Sequence, residues 1–114
     1  MKFFICITLF FLNIQSYNYE KVEIAFYKKL INIGYGIVDV RTPQEFDSGH
    51  INNAVNIDLN NASFVSKINL FDKKTPILIY CRSGNRSQKA GLIMDSLGFE
   101  KIFDLNGGFN VWKE

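Results

Sequence analysis

The residues best equipped for chemistry lie together in one short segment, Cys81-Arg82-Ser83-Gly84-Asn85-Arg86-Ser87. A cysteine is a nucleophile as its thiolate, and guanidinium cations, backbone amides and helix N-termini all favour that anion. This segment offers every one of them. Arg82 and Arg86 bring positive charge, and Gly84 permits the backbone angles that curl a loop round an anion. Ahead of the cysteine, Ile77-Leu78-Ile79-Tyr80 is a short apolar run, the pattern of a strand buried on both faces. Behind it, from Ser87 onward, Ala90, Ile93, Met94 and Leu97 recur at helical spacing, and Gly98 supplies a stop. The order strand, tight polar loop, helix aims Cys81 at the amides of a first helical turn, which lack internal partners and carry partial positive charge. Surroundings of this kind lower a cysteine pKa from about 8.5 to roughly 3.5–7.5. The expected chemistry is nucleophilic catalysis by Cys81. The cradle for its anion is expected from the amides of Arg82, Ser83, Gly84, Asn85, Arg86 and Ser87.

Side-chain roles within and around the cradle stay open at this level. Arg86 either presents a bidentate fork to an anionic substrate or pairs with a carboxylate beneath the loop. Arg82, next to the cysteine, is placed to guide anions at the pocket mouth. Ser87 is expected as a helix cap more than as a catalytic hydroxyl. Asp39 and Arg41 flank the end of another strand, where a site can form, but Arg41 with Glu45 fits a structural ion pair. His50 is the one histidine and reads as scaffold, with a general base as the alternative. One histidine and one loop cysteine make no metal-ligand cluster, and no cofactor is expected.

The elements that must position this loop sit in a single domain of 114 residues. Hydrophobic residues at 47% and charged residues at 21% are globular proportions and argue against disorder. The net charge of +2 is carried without any Lys/Arg-rich run, so no nucleic-acid partner is expected. Residues 1–16 differ from the rest: Lys2 is followed by a nearly continuous apolar stretch from Phe3 to Leu12, which turns polar and ends at Ser16. That is the anatomy of a secretory signal peptide cleaved after Ser16, leaving residues 17–114 as the mature domain with 12 basic and 11 acidic residues. An uncleaved membrane anchor and a buried first helix are the alternatives. The run is shorter than the roughly 20 residues that span a bilayer, so no stable membrane span is expected. Of the two cysteines, Cys6 lies before the apolar run has ended, too early for lipid attachment, and Cys81 would remain as a lone thiol in a periplasmic or secreted protein.

In chain order, Tyr19 to Ile33 is expected as one amphipathic helix with Val22, Phe26, Leu30 and Ile33 on its apolar stripe. Ile37–Val40 is a buried strand. Thr42-Pro43-Gln44-Glu45 combines an N-cap Thr, a first-turn Pro and a Glu three residues after the cap, which starts a short helix ended by Gly49. Ala54–Ile57 is a short strand, and Phe64, Ile68, Leu70 and Phe71 suggest one further helix. Ile102–Leu105 is a strand, followed by a Gly107-Gly108 turn and a final helix from Phe109 to Lys113 anchored by Trp112. Strands alternating with helices imply an α/β fold, a small mostly parallel sheet with functional groups at the strands' C-terminal ends.

Three segments, DVRTPQEFDSGHINNAVNI from Asp39 to Ile57, CRSGNRS from Cys81 to Ser87 and LNGGFNVW from Leu105 to Trp112, resemble single-domain rhodaneses in content and order. The resemblance implies a rhodanese-like sheet flanked by helices, with Cys81 at the bottom of a loop cradle and a persulfide on it during turnover. It implies a sulfurtransferase that takes a sulfane sulfur from a small anionic thiosulfate-like or persulfide donor and passes it to a thiol or thiol-protein acceptor. Asn52 and Asn53 depart from the usual Pro and Gly before Ala54. Asn tolerates the left-handed conformation that such a turn requires. A non-catalytic binding domain and a cysteine-dependent phosphatase or arsenate reductase are the other classes. Four residues separate Cys81 from Arg86, one fewer than in phosphatase loops, which suits sulfur better than a tetrahedral oxyanion.

Overall fold

Five short segments with strand character assemble into one sheet in which every hydrogen-bonded neighbour runs parallel. The structure, a computed structural model, describes residues 18–113, so the segment read as a signal peptide, with Cys6, lies outside the described residues. The strands are β1 (Tyr19–Val22), β2 (Ile37–Asp39), β3 (Val55–Asn56), β4 (Ile77–Tyr80) and β5 (Ile102–Leu105). They lie in the order β1-β5-β4-β2-β3. β4 takes the centre because all four of its residues are buried, as a strand covered on both faces requires. The helices are α1 (Ile24–Ile33), α2 (Pro43–Ser48), α3 (Phe64–Ile68), α4 (Asn85–Ser96) and α5 (Gly108–Trp112). The small parallel sheet flanked by helices is thus observed. Among the described residues no helix is long and apolar enough to cross a membrane.

Two apolar cores form because successive side chains of a strand point to opposite faces. On one face Val38, Ile79 and Ile102 meet Ala90 and Met94 of α4 and Phe64 and Ile68 of α3. On the other, Leu78, Tyr80 and Phe103 meet Tyr27 and Leu30 of α1, with Trp112 of α5 packed against them. Since all strands point the same way, the segments after β2, β4 and β5 gather along one side of the sheet. That is where a parallel sheet presents its functional groups.

Several boundaries correct the sequence expectations. Tyr19–Val22 is an edge strand paired in register with Ile102–Leu105, not the first turn of a helix. Only Tyr27 and Leu30 of α1 are buried, while Phe26 and Ile33 of the expected stripe are exposed. Helix α3 ends at Ile68, and Leu70 is 85% exposed. Helix α4 begins at Asn85 with Gly84 as its N-cap, which puts Ser87 inside the first turn and removes it from the capping role. The expected capping box on α2 is formed in full: Thr42 accepts from the Glu45 amide, and the Glu45 carboxylate accepts from the Thr42 amide. Asn53 adopts φ +70°, the left-handed conformation expected of it.

Candidate active site

Cys81 leaves the end of β4 and is 1% exposed. Immediately after it the chain must reverse into α4, and Gly84, at φ +118° and ψ −12°, makes that turn in a region that side chains disfavour. The turn brings the Gly84 amide back onto Cys81, where it donates to Sγ at 3.1 Å. The thiol in turn donates to Ser87 Oγ at 3.3 Å, and the Ser87 hydroxyl donates to the Gly84 carbonyl at 3.3 Å. Of the six cradle residues, Gly84 by its amide and Ser87 by its hydroxyl therefore contact the sulfur. Arg82, Ser83 and Asn85 have exposed side chains.

A second loop braces the first. The Phe109 amide donates to the Cys81 carbonyl at 2.8 Å, and the Asn110 amide to the Arg82 carbonyl at 3.1 Å. This approach is possible because Gly108, at φ +60°, has no side chain. A Cβ there would fall 2.5 Å from the Cys81 carbonyl oxygen and 2.7 Å from the Arg82 carbonyl carbon. The Gly107-Gly108 pair is thus part of the site, although its spacing from Cys81 in the chain gives no sign of it.

Of the two arginines, Arg86 takes the carboxylate-pairing alternative, and Arg41 departs from its expected pairing with Glu45. Arg86 meets Glu45 as a bidentate fork, Nη1 to Oε1 at 2.7 Å and Nη2 to Oε2 at 2.9 Å, which ties α4 to α2. Hydrogen bonds from Arg86, opposed by partial burial and helped by those from Thr42, hold the Glu45 carboxyl down at about 2. Because Glu45 is engaged there, Arg41 pairs with Asp39 instead. Arg41 Nη2 lies 2.7 Å from Asp39 Oδ2 and also donates to the Gly49 carbonyl at 2.7 Å. Its guanidinium stacks 4.5 Å from the Phe109 ring centroid. Both members of this pair are buried, and Asp39 completely so. His50 stacks on Phe46 with centroids 3.7 Å apart, and its Nδ1 is 2.8 Å from the Phe46 carbonyl, a scaffold position.

A cleft of about 300 Å³ opens beside the loop, lined by Arg41, Glu45, Arg82, Phe109, Asn110 and Lys113 among others. Cys81 is not on its wall, and Arg82, the residue after it, is. With Arg41 and Glu45 each held in an ion pair, Arg82 and Lys113 give the mouth its positive character. Asp104 and Tyr19 lie on the same face as the cysteine and were not singled out from the sequence. The available signal was a charged residue inside the otherwise apolar Ile102-Phe103-Asp104-Leu105 run.

The Rhodanese-like domain family model matches residues 24–114. A thiosulfate sulfurtransferase GlpE of Pseudomonas syringae is 38% identical over 80 residues, covering 70% of this chain and 74% of that protein. The thiosulfate sulfurtransferase GlpE of Pseudomonas aeruginosa is 33% identical over 99 residues, covering 87% and 88%. Among solved structures, a rhodanese-related protein from Thermoplasma volcanium superposes with a TM-score of 0.73 at 29% identity, covering 83% of this chain and 91% of that one.

Proposed function

Because this chain belongs to the rhodanese-like domain family, we propose that it is a sulfurtransferase working through a persulfide on Cys81. The observation that carries the reading is the Cys81 sulfur held by the Gly84 amide at the N-terminus of α4. In the first step the Cys81 thiolate attacks the outer sulfur of a thiosulfate-like or persulfide donor. The new S–S bond forms as the donor's own S–S bond breaks, and the leaving group (sulfite from thiosulfate) departs with the electron pair. In the second step a thiol or cyanide acceptor attacks that outer sulfur, and Cys81 leaves as the thiolate. The charge on the terminal sulfur between steps suits the first-turn amides of Asn85 and Arg86, which have no acceptor inside the helix. The Ser87 hydroxyl can rotate from the Gly84 carbonyl to donate to an anionic Sγ. Arg82 and Lys113 draw anionic donors to the cleft mouth. Arg86, with its fork occupied by Glu45, is not presented to a tetrahedral oxyanion, which counts against a phosphatase.

Intact-mass analysis after thiosulfate exposure tests the proposal. One added sulfur on Cys81, removed by cyanide with release of thiocyanate, is the expected result. An unchanged mass with no thiocyanate would leave a binding domain in place of an enzyme. We further propose that residues 1–16 direct export and are removed; the same spectrum of the native protein then begins at Tyr17. Gly108→Ala should lower the transfer rate by about 100-fold, because its Cβ displaces the Cys81–Arg82 backbone and small misplacements of a nucleophile have effects of that size. Steady-state kinetics beside a urea melt separates this from simple unfolding.

A further inference from the structure

The two-step mechanism uses cations at the cleft mouth and leaves another unused beside the nucleophile loop. Lys21 lies in β1, the edge strand held in parallel register by β5, with Tyr19 opposite Ile102 and Lys21 opposite Asp104. Alternate residues of a strand share a face, so Lys21 rises on the same side of the sheet as Tyr19. That side is the one α4 covers: Tyr19 packs at Gly91, where a Cβ would lie 2.2 Å from the ring. Gly84 comes seven residues before Gly91, about two helical turns back along the same side of α4. A lysine two residues beyond Tyr19 therefore comes alongside the start of that helix. Its Nζ stands 3.9 Å from the place a Cβ of Gly84 would take, and the Gly107 amide nitrogen 4.0 Å from the same place. Gly84 is the residue whose amide donates to Cys81 Sγ at 3.1 Å. The ammonium is thus within about 10 Å of the sulfur, one Debye length in about 0.1 M salt.

This charge is not engaged elsewhere. Among the described residues Arg41, Arg86 and Lys101 are held in ion pairs, whereas the Lys21 ammonium has neither an ion pair nor a hydrogen bond. Its neighbour Glu20 points to the other face of the strand and pairs with Lys101. Asp104, opposite it in register, accepts from the Tyr19 hydroxyl. We propose that Lys21 is a positioning residue for the Cys81 reaction: its unpaired ammonium beside Gly84 keeps the β1 side of the loop at positive potential and draws anionic sulfur donors to the sulfur. Arg82 and Lys113 supply charge at the cleft, and Lys21, which is not on the cleft wall, adds a second source from another side. A neutral donor gains nothing from such a field, so Lys21 favours anionic donors over neutral ones.

This role rests on the sulfurtransferase reading, so the test includes a readout that needs no turnover. Cys81 in the full chain is alkylated with anionic iodoacetate and with neutral iodoacetamide, and the label is read on the Cys81 peptide by mass spectrometry. Both reagents meet the same thiolate. The ratio of their rates therefore cancels the thiol's own pKa and any loosening of the loop, and reports the potential met by an incoming anion. Lys21→Gln should lower that ratio about two- to threefold in dilute salt, and Lys21→Glu, a change of two charges, about four- to tenfold. Lys21→Arg should keep the parental ratio. Roughly 1 M salt should erase the differences, because screening then leaves a range of only about 3 Å. In the transfer assay kcat/KM for thiosulfate, a dianion, should fall about three- to tenfold in Lys21→Gln with kcat little changed. The side chain is exposed and unpaired, so the urea midpoints should match the parent's. A ratio unmoved by both Lys21→Gln and Lys21→Glu, or lowered as much by Lys21→Arg as by Lys21→Gln, would overturn the proposal. A parent that transfers no sulfur refutes the enzyme, while the alkylation ratio still decides whether Lys21 sets the potential at the thiol.

Discussion

Cys81→Ser keeps the fold and lowers sulfur transfer to background. Serine is the closest replacement in shape, and its hydroxyl can keep both the Gly84 amide and Ser87 as hydrogen-bond partners in the same buried position. The stability change should therefore stay within about 1–2 kcal/mol, as for a small near-isosteric core change. Activity responds differently, because no other described residue offers a thiol to the loop and a neutral alcohol does not accept a sulfane sulfur at neutral pH. The measurements are thiocyanate production, intact mass after donor exposure and the urea midpoint. Transfer that persists in a folded Cys81→Ser protein would remove Cys81 as the nucleophile, and with it the persulfide route.

Arg41→Ala should cost about 3–5 kcal/mol of stability, the range for breaking a buried pair from one side. The Asp39 carboxylate has no exposure and receives three hydrogen bonds from the Arg41 guanidinium and one from its backbone amide. Removing the guanidinium leaves a charge inside the protein with most of its partners gone, and also frees the Gly49 carbonyl and the Phe109 face. A loss of that size is a large part of the roughly 5–15 kcal/mol that holds a domain together. Asp39→Asn combined with Arg41→Met should recover most of it, since a neutral pair of similar volume carries no unpaired charge. Urea denaturation of the single and double variants decides the matter. A single variant within about 1 kcal/mol of the parent would mean that water reaches Asp39 and that the pair is not a structural lock.

What could be read from the chain was whatever a few adjacent residues settle among themselves. The α2 capping box needs only Thr42 and Glu45, and the Asn53 turn needs only a residue that tolerates positive φ. The buried character of Ile77–Tyr80 and the polar loop after it placed the nucleophile at a helix N-terminus for the same reason. Tyr19–Val22 could not be read this way. Its pattern fits either period, and its partner, Ile102–Leu105, is more than eighty residues away in the chain. Leu70 misled because a helical period continues past the point where the core ends.

The amino-acid order alone determined that a cysteine with flanking cations would leave a central strand and meet a helix, because strand pattern, turn residues and helix period are local properties. Only the folded chain decided which charges pair. Glu45 on α2 meets Arg86 on α4, and Arg41 pairs with Asp39, a choice between residues that lie far apart in the chain. Only the folded chain, too, brought Gly108 under the nucleophile's carbonyl. Contacts between distant strands and loops depend on how the sheet closes, and no short window of sequence contains that information.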